Sequence, residues 1–496
     1  MKKLFVLLLA ICLIVPMWSC KKDEPTEPAQ TQGGGTTQSP SGDSDRENAV
    51  SGLPDDLDFG NEIVNIAIRD RDDIAFEMDP EANTVDVLAS AIAARNEAAQ
   101  NALNVAIEMI RVPGNWSQRE DFMTNIRKNA NLGEADRYDL VMGPNYSLAN
   151  LMVEGYFTNL YNVPYIDLGA EWWNGNFNDE CSYAGKLYMT EGELMLTLID
   201  SAFVMFFDTA NLSAHAPTVD IYEIVRSGNW TLEELSAIAK DLHNDKNGDG
   251  VQDAGDTFGM VSPAFASGRD GFQTAFGITV TTKDLSTGRI SLSFGDPATN
   301  ERIVNIYDDF YEFIQESDGV FSTGNNDAAR ESCRTMFQGG QALFITELLN
   351  YAGTLRGLER EYGVIPLPKY DTMQESYAVA SEAVHSQLSV MAASPRKDAA
   401  GALAEMLCFL TYRDVTLEYY DTVKYRNQKT PEAVEMLDLI MSSITSNFGA
   451  QFAELMDSPY PAPIGETNDI SSTLAGQTER MQDLMDDLKW DIQELA

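Results

Sequence analysis

One stretch of the sequence carries oxygen-bearing side chains at the spacing of a calcium-binding loop. The twelve residues from Asp245 to Asp256 place such side chains at loop positions 1, 3, 5, 9 and 12, with glycine at position 6. Calcium prefers many oxygen ligands, and the glycine permits the sharp turn that the loop needs. The predicted ligands are five side chains and the backbone carbonyl of Val251, in the set Asp245, Asn247, Asp249, Val251, Asp253 and Asp256. Position 12 holds aspartate where glutamate is usual, so we expect a structural Ca²⁺ site; an acidic turn without metal is the alternative.

Sequence patterns typical of enzymes are largely missing. The three histidines, His215, His243 and His385, lie far apart, and no serine-hydrolase, zinc-protease or phosphate-binding glycine motif occurs. A glycoside hydrolase needs only two carboxylates, and the chain has 77 acidic residues. We therefore expect a protein without catalytic activity, and a secreted, polysaccharide-active glycoside hydrolase is the alternative.

The N-terminus resembles a bacterial lipoprotein signal. Residues 1–19 combine two lysines with an apolar stretch too short to span a bilayer, and Cys20 follows directly. In lipoproteins that cysteine becomes the lipid-modified N-terminus, and the polar stretch 20–57 then predicts a flexible tether. The resemblance implies an extracytoplasmic protein that is lipid-anchored to the bacterial cell membrane. An ordinary secretory signal with an incidental cysteine is the alternative.

The net charge argues against anionic partners, and the cysteine content argues against stabilisation by disulfides or zinc. The formal charge of −43 makes nucleic acid an implausible partner and disfavours polyanionic sugars. Cys181, Cys333 and Cys408 are odd in number and far apart, so neither a disulfide framework nor a zinc cluster is expected. The folded part must be stabilised by packing.

Strands alternate with helices beyond residue 57, which indicates a parallel α/β sheet. The patterns predict strands at 63–68, 104–110 and 138–142, with helices at 85–103 and 119–129. The length beyond the tether is sufficient for two lobes.

An ordered series of short phrases resembles the extracellular solute-binding proteins of ABC importers, of the family 1 type that binds sugars. Two of the phrases are Arg137-Tyr-Asp-Leu-Val-Met-Gly-Pro-Asn-Tyr146 and Gly155-Tyr-Phe-Thr-Asn-Leu160. The other phrases lie at 95–107, 171–174, 185–190, 202–208, 228–232, 337–346 and 362–368. Together they cover almost everything from residue 60 to 415.

The resemblance implies a two-lobed, periplasmic-binding-protein-like α/β fold with a hinge and an interlobe cleft. It assigns residues 58–190 and 363–412 to lobe one, and residues 191–362 and 413–496, with the C-terminal helices, to lobe two. It further implies a monomer that captures an extracellular carbohydrate, expected to be an oligosaccharide, by hinge closure and delivers it to ABC permease subunits. The sequence leaves open which sugar is bound, and a peptide or another polar solute is the alternative ligand.

Sugar-binding sites use aromatic platforms flanked by polar side chains, and such residues occur at the expected cleft turns. The candidates are Arg69, Arg71, Asn145, Tyr146, Trp172, Trp173, Glu347 and Asn350. Adjacent tryptophans on one strand face opposite ways, so we expect at most one of Trp172 and Trp173 to contact ligand. Trp116 and Trp230 are interpreted as structural.

Overall fold

The computed structural model describes residues 46–83, 85–264, 266–420, 431–457, 464–466 and 468–495. The strands are β1 Glu62–Arg69, β2 Val105–Val112, β3 Leu140–Gly143, β4 Phe203–Asp208, β5 His243–Asn244, β6 Thr257–Pro263, β7 Thr281–Asp284, β8 Arg289–Leu292, β9 Val320–Thr323, β10 Ala342–Leu348, β11 Tyr362–Pro366 and β12 Gln387–Val390. The α-helices are α1 Asp72–Ala75, α2 Asp86–Leu103, α3 Arg119–Asn129, α4 Asn145–Val153, α5 Gly175–Cys181, α6 Thr197–Asp200, α7 Thr209–His215, α8 Ile221–Arg226, α9 Leu232–Ala239, α10 Ala266–Ala275, α11 Pro297–Tyr311, α12 Asp327–Gln338, α13 Tyr351–Leu355, α14 Lys397–Leu410, α15 Thr416–Tyr420, α16 Pro431–Ser442, α17 Phe448–Gln451 and α18 Ile470–Glu494. None of the described helices is long and apolar enough to cross a membrane.

The first sheet has the strand order β12-β3-β1-β2. Strands β1, β2 and β3 are parallel, and β12 is antiparallel to β3. Six consecutive residues of β1 are buried, as expected for a strand that is covered on both faces. Helix α2 connects β1 to β2 and ends at Asn104, which adopts the left-handed conformation with φ 49° that asparagine tolerates.

The second sheet has the strand order β11-β4-β10-β6-β5, and β9 also pairs with β6. Strands β6, β9 and β10 are parallel, whereas β4 is antiparallel to both β10 and β11. Strands β7 and β8 form a separate hairpin. Helix α9 lies beside this sheet and begins with the predicted cap, because the Thr231 hydroxyl accepts a hydrogen bond from the Glu234 backbone N–H.

Two chain segments connect the sheets and pair with each other. Residues 190–202 lead from the first sheet to β4, and residues 381–388 lead back into β12. Backbone hydrogen bonds join Thr190 to Leu388 in both directions, and the Glu382 N–H donates to the Ser201 carbonyl at 2.8 Å. We call these two segments the hinge. The predicted two-lobed α/β fold is confirmed.

The first sheet combines strands from residues 62–143 with β12, so two distant parts of the predicted lobe one share a sheet. Strand β11, which begins at the predicted boundary, instead pairs with β4 in the second sheet. Because β11 belongs to the second sheet, the chain returns to the first sheet only near residue 381. The remaining lobe boundaries stay a prediction.

The last residues of the predicted tether lie against the folded body. The Arg46 guanidinium is buried, pairs with the Glu193 carboxylate at 2.9 Å and lies 4.2 Å from the centre of the Tyr412 ring. Ala49, Leu53 and Leu57 also contact the hydrophobic core. The signal peptide 1–19, Cys20 and the tether up to residue 45 lie outside the described residues.

Candidate functional site

The carboxyl ends of the three parallel strands in the first sheet bring polar and aromatic side chains to one edge. Arg69 is the last residue of β1, Trp116 follows β2, and Tyr146 lies in the first turn of α4, directly after β3. Ligands of open α/β sheets bind in the crevice outside these strand ends. The Arg69 guanidinium is buried and donates to the Gly114 and Val384 carbonyls, which connects this edge to the hinge.

Trp116 and Tyr146 form an aromatic pair at this edge. Their ring centroids are 4.9 Å apart with the planes at 78°, and the Arg119 guanidinium lies 4.6 Å from the Trp116 ring. Trp116 is 54% exposed, whereas Tyr146 is only 4% exposed. Burial raises the pKa of Tyr146, and the neighbouring guanidinium groups of Arg69 and Arg71 act against that rise.

The facing edge belongs to the second sheet. Glu347, in β10, is fully buried and receives paired hydrogen bonds of 2.7–3.1 Å from Arg330 and Arg334 of helix α12. Burial favours the neutral carboxyl, but the two guanidinium groups outweigh it and lower the pKa of Glu347. The carboxylate is therefore ionised and held in place.

Two further carboxylates connect the facing edges. Glu382, in the hinge, interacts electrostatically with Arg71 of the first edge and Arg330 of the second, yet burial raises its pKa. Asp270 of helix α10 is exposed to solvent, and desolvation by the surrounding protein together with the charges of Glu382 and Glu466 raises its pKa to about 6. Seven residues thus form what we call the cleft cluster: Arg69, Arg71, Tyr146, Asp270, Arg330, Glu347 and Glu382.

Four predicted ligand residues belong to this cluster: Arg69, Arg71, Tyr146 and Glu347. Asn145 is buried beside Tyr146 at the start of α4. Asn350 is exposed, and its backbone N–H donates to the Asp200 carbonyl beside the hinge. A role for each in ligand binding stays a prediction.

Trp172 and Trp173 are not brought into the cleft cluster. Both are buried, and both indole N–H groups donate to the carboxylate of Glu405, at 2.9 and 2.8 Å. Trp172 also packs edge-on against Phe409. The neighbouring side chains converge because this segment is not a regular strand, so the alternation expected of one does not apply. Their placement indicates a packing role.

Sequence reasoning missed Trp116, Asp270, Arg330 and Glu382. Trp116 was interpreted as structural, but it is exposed at the carboxyl end of β2. Its position six residues after the strand predicted at 104–110 was the available signal. The interpretation of Trp230 as structural agrees with its complete burial. Glu382 carries no sequence signal, since its position depends on where the chain returns between the sheets.

A buried polar network holds the hinge. His385 lies 2.7 Å from the Glu191 carboxylate, and the Gln387 amide donates to the same oxygen at 2.8 Å. Burial opposes a charge on the imidazole, but Glu191 outweighs it and raises the pKa of His385. The two hinge segments are therefore joined by side chains as well as by the backbone.

The carboxylates of the predicted calcium loop are engaged with the loop's own backbone. Asp245 accepts from the N–H groups of Gly248 and Gly250, at 2.6 and 2.9 Å. Asp256 is buried; burial opposes its ionisation, but hydrogen bonds from His243 and from two backbone N–H groups lower its pKa. Within the described part of the chain, no three His, Cys, Asp or Glu side chains are grouped to hold a metal. Calcium binding would require these carboxylates to turn, and it stays a prediction.

Two α/β sheets with facing carboxyl edges, joined by a paired hinge, define a two-lobed binding protein. Residues 91–435 match the model of the bacterial extracellular solute-binding protein family, and the chain belongs to that family. This membership indicates an extracytoplasmic location. No curated protein sequence matches the chain.

Three solved structures share the fold. A cyclo/maltodextrin-binding protein complexed with maltotetraose is 13% identical with a TM-score of 0.51, and the match covers 88% of this chain and 97% of that one. An extracellular solute-binding protein from Staphylococcus aureus in complex with maltose is 12% identical with a TM-score of 0.51, covering 87% and 97%. M. tuberculosis UspC is 13% identical with a TM-score of 0.50, covering 85% and 100%. At such low identity these likenesses support the fold alone.

Proposed function

We propose that this protein is the substrate-binding component of a bacterial ABC importer and captures an extracellular carbohydrate by hinge closure, without catalysis. The observation that carries the proposal is the exposed Trp116 ring at the edge of the first sheet, beside polar groups that come from both sheets. A sugar ring has an apolar face and a rim of hydroxyls, which suit an aromatic surface flanked by carboxylates and guanidinium groups. Two of the structurally similar proteins are complexes with maltose or maltotetraose, which supports the same ligand class.

Each of the two sheet edges carries fixed side chains, and this is the basis for the proposed hinge closure. Tyr146 and Arg71 are fixed to the first sheet, and Glu347 with its two arginines is fixed to the second. A ligand that contacts both edges binds the closed form better than the open form, so it shifts the population towards closure. The closed form, with its lobes in a fixed relation, is the one that the permease subunits would recognise.

The N-terminal residues are the basis for the proposed attachment to the membrane. Lipid modification of Cys20 would anchor the protein to the outer face of the cell membrane, and the protein would work as a monomer beside its permease. Mass spectrometry of the N-terminal peptide from the native host tests the modification, because an unmodified or absent Cys20 would contradict the lipid anchor.

Ligand-dependent stabilisation tests the proposed function. A sugar that binds only the native state raises the free energy of unfolding by about 2.7 kcal/mol at a hundredfold excess over Kd, which a thermal-shift screen against a glycan panel detects. Trp116→Ala should weaken the binding of any hit at least tenfold. Trp490→Ala is the matched control, because Trp490 is 63% exposed on the C-terminal helix. Equal effects of the two substitutions would contradict the assignment of Trp116.

A turnover assay distinguishes sugar capture from the alternative of a glycoside hydrolase. Saturable binding of an oligosaccharide that is recovered intact after long incubation supports capture. Release of shorter products by the purified protein, abolished by Glu382→Gln or Asp270→Asn, would establish a glycoside hydrolase instead.

A further inference from the structure

The C-terminal helix α18 contacts both the lobe built on the first sheet and the lobe built on the second. Its 25 residues span about 37 Å. In its N-terminal half it packs on helix α11, where Thr478 lies next to Gly295. Helix α11 belongs to the second lobe, because its Phe310 ring contacts the Phe272 ring of α10, the helix that follows β6. Helix α18 also contacts helix α4 of the first lobe. A rigid helix cannot follow both lobes when they rotate, so one set of contacts must change.

Lys186 of the first lobe is joined to the C-terminal end of α18. Its ammonium group donates to the Gln493 carbonyl at 2.9 Å and also to the Leu495 carbonyl. The last turn of a helix leaves carbonyls without intrahelical partners, and a charged donor satisfies them well. The backbone around Lys186 is hydrogen-bonded to Asn159 and Leu160, so Lys186 moves with the first lobe.

A second lysine joins the lobes in the opposite sense. Lys283 of strand β7 donates to the carbonyls of Asp179 and Ser182, at the C-terminal end of α5. The hairpin of β7 and β8 lies between α10 and α11 in the second lobe, whereas α5 precedes the hinge in the first. Beside the two lysine contacts lies a groove of about 930 Å³, lined by the turn at 183–185, by the hairpin and by α18. Since its walls come from both lobes, its width must change when the lobes rotate.

The contact of Lys186 lies on the side of the first sheet that is away from the cleft. Leu495 lies next to Gly155, beyond the C-terminal end of α4. The residues after Gly155 pair with Val390, which lies opposite Leu140 at the amino end of β3. The cleft is at the carboxyl end of the same strand. Two bodies that approach on one side of a hinge separate on the other, so closure of the cleft would stretch this contact.

The cleft is accessible to solvent in this structure. The Trp116 side chain of the first edge is 54% exposed, and Asp270 of the facing lobe is exposed as well. The contacts of Lys186 and Lys283 are therefore formed in the open protein.

We propose that Lys186 and Lys283 are positioning residues that set the ligand affinity from behind the hinge. Their contacts stabilise the open form, and closure has to break or distort them. The proposal rests on the proposed function and deepens it, because it assigns control of sugar affinity to residues that do not touch the sugar. Apparent affinity falls when the form that the ligand prefers is less populated, so loss of either contact should tighten binding.

Substitutions that remove the two donors test this inference. Lys186→Met and Lys283→Met keep an unbranched side chain and remove the ammonium group. Isothermal titration calorimetry should show each variant binding maltotetraose roughly three- to tenfold more tightly than wild type, the factor that corresponds to one net hydrogen bond. Lys128→Met is the matched control and should leave the affinity unchanged, because Lys128 is exposed on helix α3 of the first lobe. Loss of a residue with only a structural role would weaken binding or leave it unchanged, so tighter binding is the distinguishing result.

Small-angle X-ray scattering of the ligand-free proteins measures the same equilibrium without a sugar. Both variants should have a smaller radius of gyration than wild type and Lys128→Met. Circular dichroism and melting show which variants are folded, and if one of the two does not fold, the other decides.

The outcomes separate this inference from the proposed function. Equal or weaker maltotetraose binding by a folded Lys186→Met or Lys283→Met overturns the role of that lysine and leaves sugar capture intact. If none of the proteins binds maltotetraose, the result counts against the proposed ligand class, and scattering alone decides the role of the lysines. An unchanged radius of gyration then overturns that role, and a smaller one supports it.

Discussion

Replacement of Glu405 decides whether Trp172 and Trp173 are structural. The Glu405 carboxylate is buried and accepts three hydrogen bonds, from the two indole N–H groups and from the Asp167 backbone N–H at 3.1 Å. Glu405→Ala would leave three buried donors without an acceptor, each at about 1–3 kcal/mol. Burial raises the pKa of Glu405, so removal of its unfavourable desolvation offsets part of that loss. We expect a net destabilisation of about 3–5 kcal/mol, and about 1–2 kcal/mol for Glu405→Gln, which keeps one acceptor oxygen.

Urea unfolding followed by tryptophan fluorescence measures this effect, because two of the six tryptophans of the chain donate to the substituted residue. Glu97→Ala is the control, since Glu97 is exposed on helix α2 and should change stability little. The affinity for a glycan hit, measured well below the unfolding transition, should be unchanged by Glu405→Gln. An unfolding free energy for Glu405→Ala within about 0.5 kcal/mol of wild type would refute the reasoning. Loss of glycan binding in a stable Trp173→Phe variant would show instead that Trp173 belongs to the ligand site.

Three shorter predictions concern the hinge, the N-terminal segment and the acidic loop. Glu191 raises the pKa of His385, so the pair should stabilise the fold fully below about pH 6.5 and lose that effect as pH rises through the higher folded-state pKa. The melting temperature of His385→Gln should therefore depend less on pH than that of wild type. Parallel pH profiles of the two proteins would contradict this. Arg46→Ala should lower the unfolding free energy by about 1–2 kcal/mol through loss of the pair with Glu193 and the contact with Tyr412, while a fully mobile segment would show no change in denaturation. If the acidic loop binds Ca²⁺, chelation and Asp249→Ala should lower the melting temperature similarly without altering glycan affinity, and a melting temperature indifferent to chelator would count against the metal.

The elements that form the first edge could be predicted from sequence because their patterns are local. The strand expected at 63–68 is observed at Glu62–Arg69, and the helix expected at 119–129 is observed at the same residues. Since parallel strands end at one edge, Arg69 and Tyr146 could be placed near each other from their positions after strands. The same rule, applied after β2, would have included Trp116.

Other features depend on contacts between distant parts of the chain. Glu405 lies 232 residues beyond Trp173, and no local pattern shows that one carboxylate satisfies both indoles. The strand β11 has an unambiguous strand pattern, but the choice between two sheets is made by its pairing with β4. Glu382 reaches the cleft only because residues 381–388 pair with residues 190–202, which is a property of the assembled hinge.

The position of Glu382 on the hinge has a mechanical consequence. Its backbone N–H donates to Ser201, and its carbonyl accepts from both the backbone and the ring of His385, so the residue is fixed to both crossing segments. When two bodies rotate about a paired hinge, displacement grows with distance from the axis, and a group on the axis moves least. A ligand that contacts Glu382 would therefore meet nearly the same carboxylate before and after the proposed closure. Under the proposed function, one end of a ligand would bind at this fixed point before closure, and the part of the ligand beyond it would determine the closure angle.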